Sequence, residues 1–307
     1  MQNKNQSLSK FEIWALAARP KTLPAAAATV IVGSAAAYYQ FNFKLLPALA
    51  CLLAALLMQI GANLANDLFD FYRGADQGDR LGPLRVTQAG LLQPKEVVWG
   101  LCFTFGCASL LGIYLFSQVG WPVLVIGLAS ILAALTYTGG PFPFGYYGLG
   151  DLMVFIFFGL VAVCGTYFVQ AGHVSRLALW SAIPMGFLIT GILVVNNLRD
   201  LDSDRAVGKK TLAVFLGAQG ARWEYLLCLL AAFVFPLIGI LTAQIPFLTL
   251  LSLLCIPMAI RLVRSIWTVS GRPLNLALAG TGRLTLVFGI LYSFGLIAAC
   301  LIEMHGK

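Results

Sequence analysis

Residues 45–79 read LLPALACLLAALLMQIGANLANDLFDFYRGADQGD. The run from Leu45 to Ile60 carries no charge, which predicts a helix lying in a bilayer. The chain then turns abruptly polar and places Asp67, Asp70, Asp76 and Asp79, four of its twelve acidic residues, close together. If the helix runs on, Asn63, Asn66, Asp67 and Asp70 fall at i, i+3, i+4 and i+7 and share one face. Oxygen ligands stacked on one face suit a hard cation such as Mg²⁺. For one such motif taken alone, a solvated helix end leaving the membrane is the plainer reading.

The rest of the chain gives the motif its setting. Mean hydropathy is +0.87. Only 10% of residues are charged, against about 25% in a soluble domain. Apolar runs recur at 23–40, 45–62, 97–117, 121–137, 149–170, 177–197, 224–243, 246–262 and 284–303. These predict an all-α polytopic membrane protein with nine transmembrane helices in one bundle and a polar active site facing the cytoplasm. The short alternating segments of a β-barrel are missing. Residues 1–22 form a cytoplasmic interfacial segment, with a capping box at Ser9 and Glu12 and a stop at Pro20. Its long polar leader argues against a signal peptide. Residues 23–303 form a single nine-helix domain, and 304–307 a short tail. All seven cysteines sit in apolar runs without a CxxC, so neither a metal nor a disulfide role is expected of them.

The net charge of +8 is distributed unevenly. Seventeen of the twenty Lys and Arg fall at the N-terminus and in the connections after spans 2, 6 and 8, leaving Lys44, Arg176 and Lys307 opposite. That asymmetry reports membrane orientation rather than a nucleic-acid partner. It places the N-terminus and the acidic motif on the cytoplasmic side of a bacterial inner membrane, with lipid as the surroundings and the oligomeric state open. The connections after spans 2 and 6 are expected to be long, roughly 25–35 residues, as functional loops often are.

A second cluster, NNLRDLDSDRAVGKKT at 196–211, follows span 6. Asn196, Asp200 and Asp204 are spaced i, i+4, i+8. Both clusters begin Asn-xxx-Asp at the same end of an even-numbered span, a faint internal repeat. Facing one another, they would make a strongly negative pocket, costly unless cations neutralise it. Mg²⁺ ions bridging carboxylates and diphosphate oxygens would do so. Arg73, Arg80, Arg85, Arg205, Lys209 and Lys210 stand ready for phosphate oxygens. Arg19 and Lys21 either reach the same site or anchor span 1. A diphosphate at the mouth of a greasy bundle implies an amphiphile, its tail among Phe and Leu of spans 2, 4 and 5. The connection YTGGPFPFGYYGLGD at 137–151 is either a lid over a flat aromatic molecule or a rigid turn stopped by Pro141 and Pro143.

Two Asp-rich motifs after helices 2 and 6 of nine resemble the UbiA superfamily of intramembrane aromatic prenyltransferases. The segments RPKTLPAA (19–26), NLANDLFDFYRGAD (63–76), GPLRVTQAGLL (82–92), GTYFVQ (165–170), NNLRDLDSDRAVGKKTLAVFLG (196–217) and LNLALAGTGRL (274–284) resemble its 1,4-dihydroxy-2-naphthoate branch. The resemblance implies Mg²⁺-dependent transfer of a polyprenyl chain from its diphosphate to 1,4-dihydroxy-2-naphthoate, with loss of CO₂ and diphosphate, and oxidation of the product then gives demethylmenaquinone. It implies that Asp67, Asp70, Asp200 and Asp204 hold Mg²⁺ and diphosphate, assisted by Asn63, Asn66 and Asn196. Arg85, Lys209 and Lys210 become diphosphate contacts, and Tyr137 lies near the reacting end. The usual third acid of the first motif is Gly74 here, leaving Asp76 either as a ligand or behind one. A 4-hydroxybenzoate prenyltransferase is the alternative within the superfamily. An ion-coupled carrier is the alternative outside it, since membrane carboxylates often mark ion paths, although carriers usually bind near the midplane.

Overall fold

A computed structural model describes residues 8–74 and 81–305; Asp76, Asp79 and Arg80 lie outside the described residues. Those residues form helices α1 (Lys10–Ala18), α2 (Leu23–Tyr39), α3 (Leu45–Arg73), α4 (Pro94–Val119) and α5 (Pro122–Thr136). Next come α6 (Gly150–Ala171), α7 (Arg176–Arg199), α8 (Leu201–Ala206), α9 (Leu212–Leu241), α10 (Phe247–Thr268) and α11 (Leu274–His305). Among the described residues, eight helical stretches are long and apolar enough to cross a membrane, with Lys10–Tyr39 as one run, and no strand occurs. The chain is a helical integral membrane protein.

The expected span at 121–137 is a shorter element. α5 has 15 residues, about 22 Å at 1.5 Å per residue, less than the hydrocarbon core of about 30 Å. Pro122 begins it, and the Gly-Pro-rich stretch after Thr136 ends it. Other helices run longer than their apolar runs, because a helix keeps its apolar face while polar residues occupy the other. α3 continues to Arg73. α9 starts at Leu212, where the Thr211 hydroxyl caps the Val214 N–H at 3.3 Å, and kinks at Gly217 (φ 71°). α11 starts at Leu274. The connections after α3 and α7 therefore shrink to 74–93 and 200–211, shorter than the apolar runs implied.

α7 is the axis of the bundle. Its Ala178, Ala182, Met185, Leu188, Val194 and Val195 belong to one core with Ala28 and Val32 of α2, Tyr225 of α9, and Phe288 and Tyr292 of α11. Lipid tails are as apolar as leucine, so helices associate through close packing of small residues and through internal hydrogen bonds. Gly159 of α6 meets Gly186 of α7 so closely that a Cβ at Gly159 would stand 2.5 Å from the Gly186 Cα. The Tyr225 hydroxyl lies 2.9 Å from that of Thr281, and Tyr292 lies 3.0 Å from Ser181. Within α6, Phe155–Val161 is π-helical, an irregularity common near functional sites. Phe157, Phe158 and Val161 of that stretch line a central cavity.

Candidate active site

The first cluster forms because α3 carries its helix through Asn63–Asp70, which brings Asn63, Asp67 and Asp70 inside. The carboxylate of Asp70 is held from two sides. Arg85 donates to Oδ2 at 2.5 Å, and the Tyr146 hydroxyl donates to Oδ1 at 3.0 Å. Asp67 Oδ2 accepts from the Thr87 backbone N–H at 3.2 Å and the Thr87 hydroxyl at 2.7 Å, while its Oδ1 is buried with no hydrogen-bond partner. Asn63 donates to the Ala18 carbonyl and the Thr22 hydroxyl, both at 3.0 Å. Its amide thus ties α3 to the start of α2. Asn66 accepts from Thr138 at 3.0 Å.

The second cluster straddles a break. Asp200 leaves helical geometry (φ −94°, ψ 9°) between α7 and α8, so the expected face is not one continuous helix. The hydrogen bonds nonetheless run on, from Asp200 N–H to the Asn196 carbonyl at 3.1 Å and from Asp204 N–H to the Asp200 carbonyl at 2.8 Å. Arg199 organises the cluster. It donates through Nε and Nη2 to the two Asp200 oxygens at 2.8 and 2.5 Å, and to Asn196 and Asn275 at 2.8 and 2.9 Å. Gly82 makes room for it, since a Cβ there would stand 2.7 Å from Nη2. Asp204 Oδ1 pairs with Lys209 at 3.4 Å, and its Oδ2 is buried with no hydrogen-bond partner. Burial raises the Asp204 carboxyl above its ordinary range, Lys209 opposes that rise, and Asp200 reinforces it.

One cavity of about 960 Å³ joins the clusters. At its polar end it is lined by Asp70, Asp200 and Asp204 together with Arg19, Lys21, Arg85, Arg199 and Lys209. The expectation of a strongly negative pocket is thereby corrected, because basic side chains match every lining carboxylate. Asp67 stands behind this wall, against Thr87. Asn63, Asn66, Asn196 and Tyr137 also line the cavity. Burial, then Asp151, Asp204 and Asp70, raise the Tyr137 phenol, so it remains a neutral donor. Arg205 does not join the site; it is exposed and lies 3.9 Å from Asp202. Lys210 is exposed, and its N–H meets the Tyr146 carbonyl at 3.1 Å. Arg73 donates to the Gly140 carbonyl at 2.6 Å, outside the cavity wall.

Below the charged end the cavity runs among Ala54, Ala55 and Met58 of α3, Ile113 of α4, Leu124 and Leu128 of α5, and Phe157 and Phe158 of α6. The apolar α3 wall is Cys51, Ala54, Ala55, Met58 and Ala62 rather than the Phe and Leu expected of span 2. The connection between α5 and α6 reaches both clusters through Tyr146, whose ring centroid lies 5.0 Å from the Arg73 guanidinium and 5.3 Å from the Lys209 ammonium. Burial and the Asp70 charge hold its phenol well above the ordinary range. Thr87, Tyr146 and Asn275 were not signalled by charge or spacing. Arg199 was, since it directly precedes Asp200, but a basic residue in a loop reads first as an orientation signal.

The donor set fits a hard divalent cation. In the cavity wall the buried Asp204 Oδ2 has no hydrogen-bond partner, and behind it Asp67 Oδ1 has none either, with Arg85 Nε 4.0 Å away; the other candidate ligands are oxygens, as Mg²⁺ requires. Among the described residues no three His, Cys, Asp or Glu converge on one point, so the lining Asn oxygens or a substrate would complete the ligand set.

Comparison with known proteins agrees. Residues 26–278 match the UbiA prenyltransferase family. The 1,4-dihydroxy-2-naphthoate octaprenyltransferase of Haemophilus influenzae is 37% identical, over 97% of this chain and 99% of that one. The Mycobacterium tuberculosis protein of the same name is 36% identical, over 92% and 96%. A solved UbiA homolog from Archaeoglobus fulgidus, bound to GPP and Mg²⁺, shares the fold with a TM-score of 0.69 at 16% identity, covering 93% of this chain and 99% of that one. The chain belongs to the UbiA prenyltransferase family.

Proposed function

We propose that this protein transfers a polyprenyl chain from polyprenyl diphosphate to 1,4-dihydroxy-2-naphthoate, releasing CO₂ and diphosphate, in a Mg²⁺-dependent reaction. Its site and N-terminus would face the cytoplasm of a bacterium, across the inner membrane. The observation that carries this reading is the single cavity that joins paired carboxylates and basic side chains to an apolar channel. The names of the naphthoate octaprenyltransferase relatives supply the acceptor.

In this reading Asp70, Asp200 and Asp204 hold Mg²⁺ with diphosphate oxygens, and Asp67 stands in support. Bound there, Mg²⁺ supplies charge neutralisation to the leaving diphosphate. Arg85, Arg199 and Lys209 stabilise the negative charge that grows as the allylic C–O bond breaks and its electron pair departs with the diphosphate. Arg19 and Lys21 face the same end. The apolar channel holds the tail and keeps water from the allylic cation. A ring carbon of the acceptor then bonds to that cation, and loss of the ring carboxylate as CO₂ returns the electron pair that restores aromaticity. In this reading Tyr137, which lines the cavity, donates to an acceptor oxygen. None of these steps needs a protein nucleophile.

The test is an assay of purified protein with polyprenyl diphosphate and Mg²⁺, offering either 1,4-dihydroxy-2-naphthoate or 4-hydroxybenzoate and reading products by mass. A decarboxylated prenyl-naphthalene product is expected. Product with 4-hydroxybenzoate alone would move the acceptor, and no diphosphate release with either would remove the reading.

A further inference from the structure

The wall behind the site contains a residue that touches both clusters at once. Tyr146 sits in the connection between α5 and α6, outside the cavity lining. Its hydroxyl reaches Asp70 Oδ1 at 3.0 Å in the first cluster. Its ring is flanked by Arg73, which follows that cluster on α3, and by Lys209, which pairs with Asp204 in the second. Its carbonyl accepts the Lys210 N–H at 3.1 Å. The turn that carries it is itself fixed. Gly145 N–H donates to the Tyr137 carbonyl at 2.8 Å, and Arg73 donates to the Gly140 carbonyl at 2.6 Å.

Each contact does a separate job. A carboxylate that must bind a cation needs its free orientation removed in advance, and a hydrogen bond from behind does this. An ammonium or guanidinium held on an aromatic face keeps its charge while its position is restricted. The backbone bond to Lys210 anchors the segment that follows Asp204. The two clusters lie more than a hundred residues apart in sequence, and side chains of both must act on one ligand. We propose that Tyr146 is a positioning residue of the diphosphate site, fixing Asp70 and Lys209 relative to one another from behind the cavity wall. This rests on the Mg²⁺–diphosphate reading of the site.

Two substitutions separate the contacts. Tyr146→Phe keeps the ring beside both cations and removes the hydroxyl on Asp70. Tyr146→Leu removes both. Binding of Mn²⁺, a paramagnetic stand-in for Mg²⁺, is followed by electron paramagnetic resonance on detergent-purified protein with a prenyl diphosphate and no acceptor. Tyr146→Phe is expected to weaken Mn²⁺ binding about tenfold, the usual scale for losing a hydrogen bond behind a ligand, with an unchanged thermal midpoint. Tyr146→Leu is expected to weaken Mn²⁺ binding equally and also to raise the KM for the prenyl diphosphate measured at saturating Mg²⁺, a condition under which Tyr146→Phe leaves that KM near wild type. Wild-type Mn²⁺ affinity in Tyr146→Phe overturns the inference and leaves the metal reading standing. Absence of Mn²⁺ binding by the wild-type protein with diphosphate present overturns the metal reading, and this inference with it.

Discussion

Arg199 shows how much of the second cluster rests on one buried side chain. Its side chain is 1% exposed, and it engages Asp200, Asn196 and Asn275 together. Removing one partner of such a pair leaves the other uncompensated, at a cost of about 3–5 kcal/mol. Arg199→Ala is therefore expected to lower the thermal midpoint in detergent and to abolish turnover. Arg199→Lys should recover little, because one ammonium cannot reproduce a planar fork bonded to three groups. A wild-type midpoint in Arg199→Ala would show that the cluster holds without it. Asp204 gives a pH dependence with two opposite signs. Its carboxyl retains a proton above the ordinary range, and a cation must displace that proton. The Mg²⁺ concentration for half-maximal turnover should rise as pH falls through the raised pKa, and Lys209→Gln should move that rise to higher pH. In the metal-free protein the folded state binds this proton more tightly than the unfolded chain, so the stability it contributes is lost as pH rises across that window. A Mg²⁺ requirement that is flat with pH would remove Asp204 from the ligand set. The carboxylates themselves were legible because charges in a greasy chain are conspicuous. Thr87 and Tyr146 were not, because a polar loop residue gives no sign of which distant carboxylate it will reach.

At the scale of elements, the apolar runs located the helices but misjudged their ends. Membrane burial writes itself into hydropathy, whereas the turns of α3, α9 and α11 that emerge around the site are polar on one face and helical all the same. α5 is the reverse case: its composition reads as a span, and its 15 residues are fewer than the roughly 20 of a typical span. Helix contacts were equally hidden, since a glycine in an apolar run looks alike whether it faces lipid, a cavity or another backbone. Gly159 faces a backbone. Its would-be Cβ stands 2.5 Å from the Gly186 Cα, and a backbone cannot step aside as a flexible side chain can. Gly159→Ala is expected to destabilise the α6–α7 crossing by roughly 1–3 kcal/mol, the scale of overpacking, and to disturb the π-helical stretch that lines the cavity. Thermal unfolding in detergent, followed by circular dichroism, checks this. An unchanged midpoint would mean that the crossing relaxes freely.

For the molecule as a whole, the cavity sets a length. Its wall on α3 runs from Asp70 to Cys51, nineteen residues, or about 28 Å along the helix. An extended isoprene unit, four bonds of about 1.5 Å each, advances roughly 5 Å, so this wall matches between five and six units, roughly, and at its far end Val30, Cys51, Leu115, Val123 and Val169 line the cavity and pack together. Three cavity glycines have nothing within 4 Å of a Cβ placed on them: Gly165 on α6 and, at two different depths along the bore, Gly127 on α5 and Gly112 on α4. Their side chains would therefore enter open space without disturbing the packing. Gly127 lies ten residues from Tyr137, about 15 Å down the channel. Gly112 lies deeper: Gly100, twelve residues before it, packs near Leu64, and α4 runs on from there towards the level of Cys51. A leucine at either position shortens the space for the tail, at a different depth. Both variants should fold with wild-type midpoints and keep turnover of geranyl diphosphate. Gly112→Leu should lose on the order of tenfold in kcat/KM for long prenyl diphosphates, the worth of burying two methylene groups at about 0.8 kcal/mol each. Gly127→Leu should impose the same loss on shorter chains as well. Competition between geranyl and longer prenyl diphosphates, with products read by mass, measures the cut-off for each variant. If both variants lose short and long chains alike, the tail takes another path through the bundle. A cut-off that moves with the depth of the substituted glycine would place the tail along α3, with its diphosphate between the two acidic clusters.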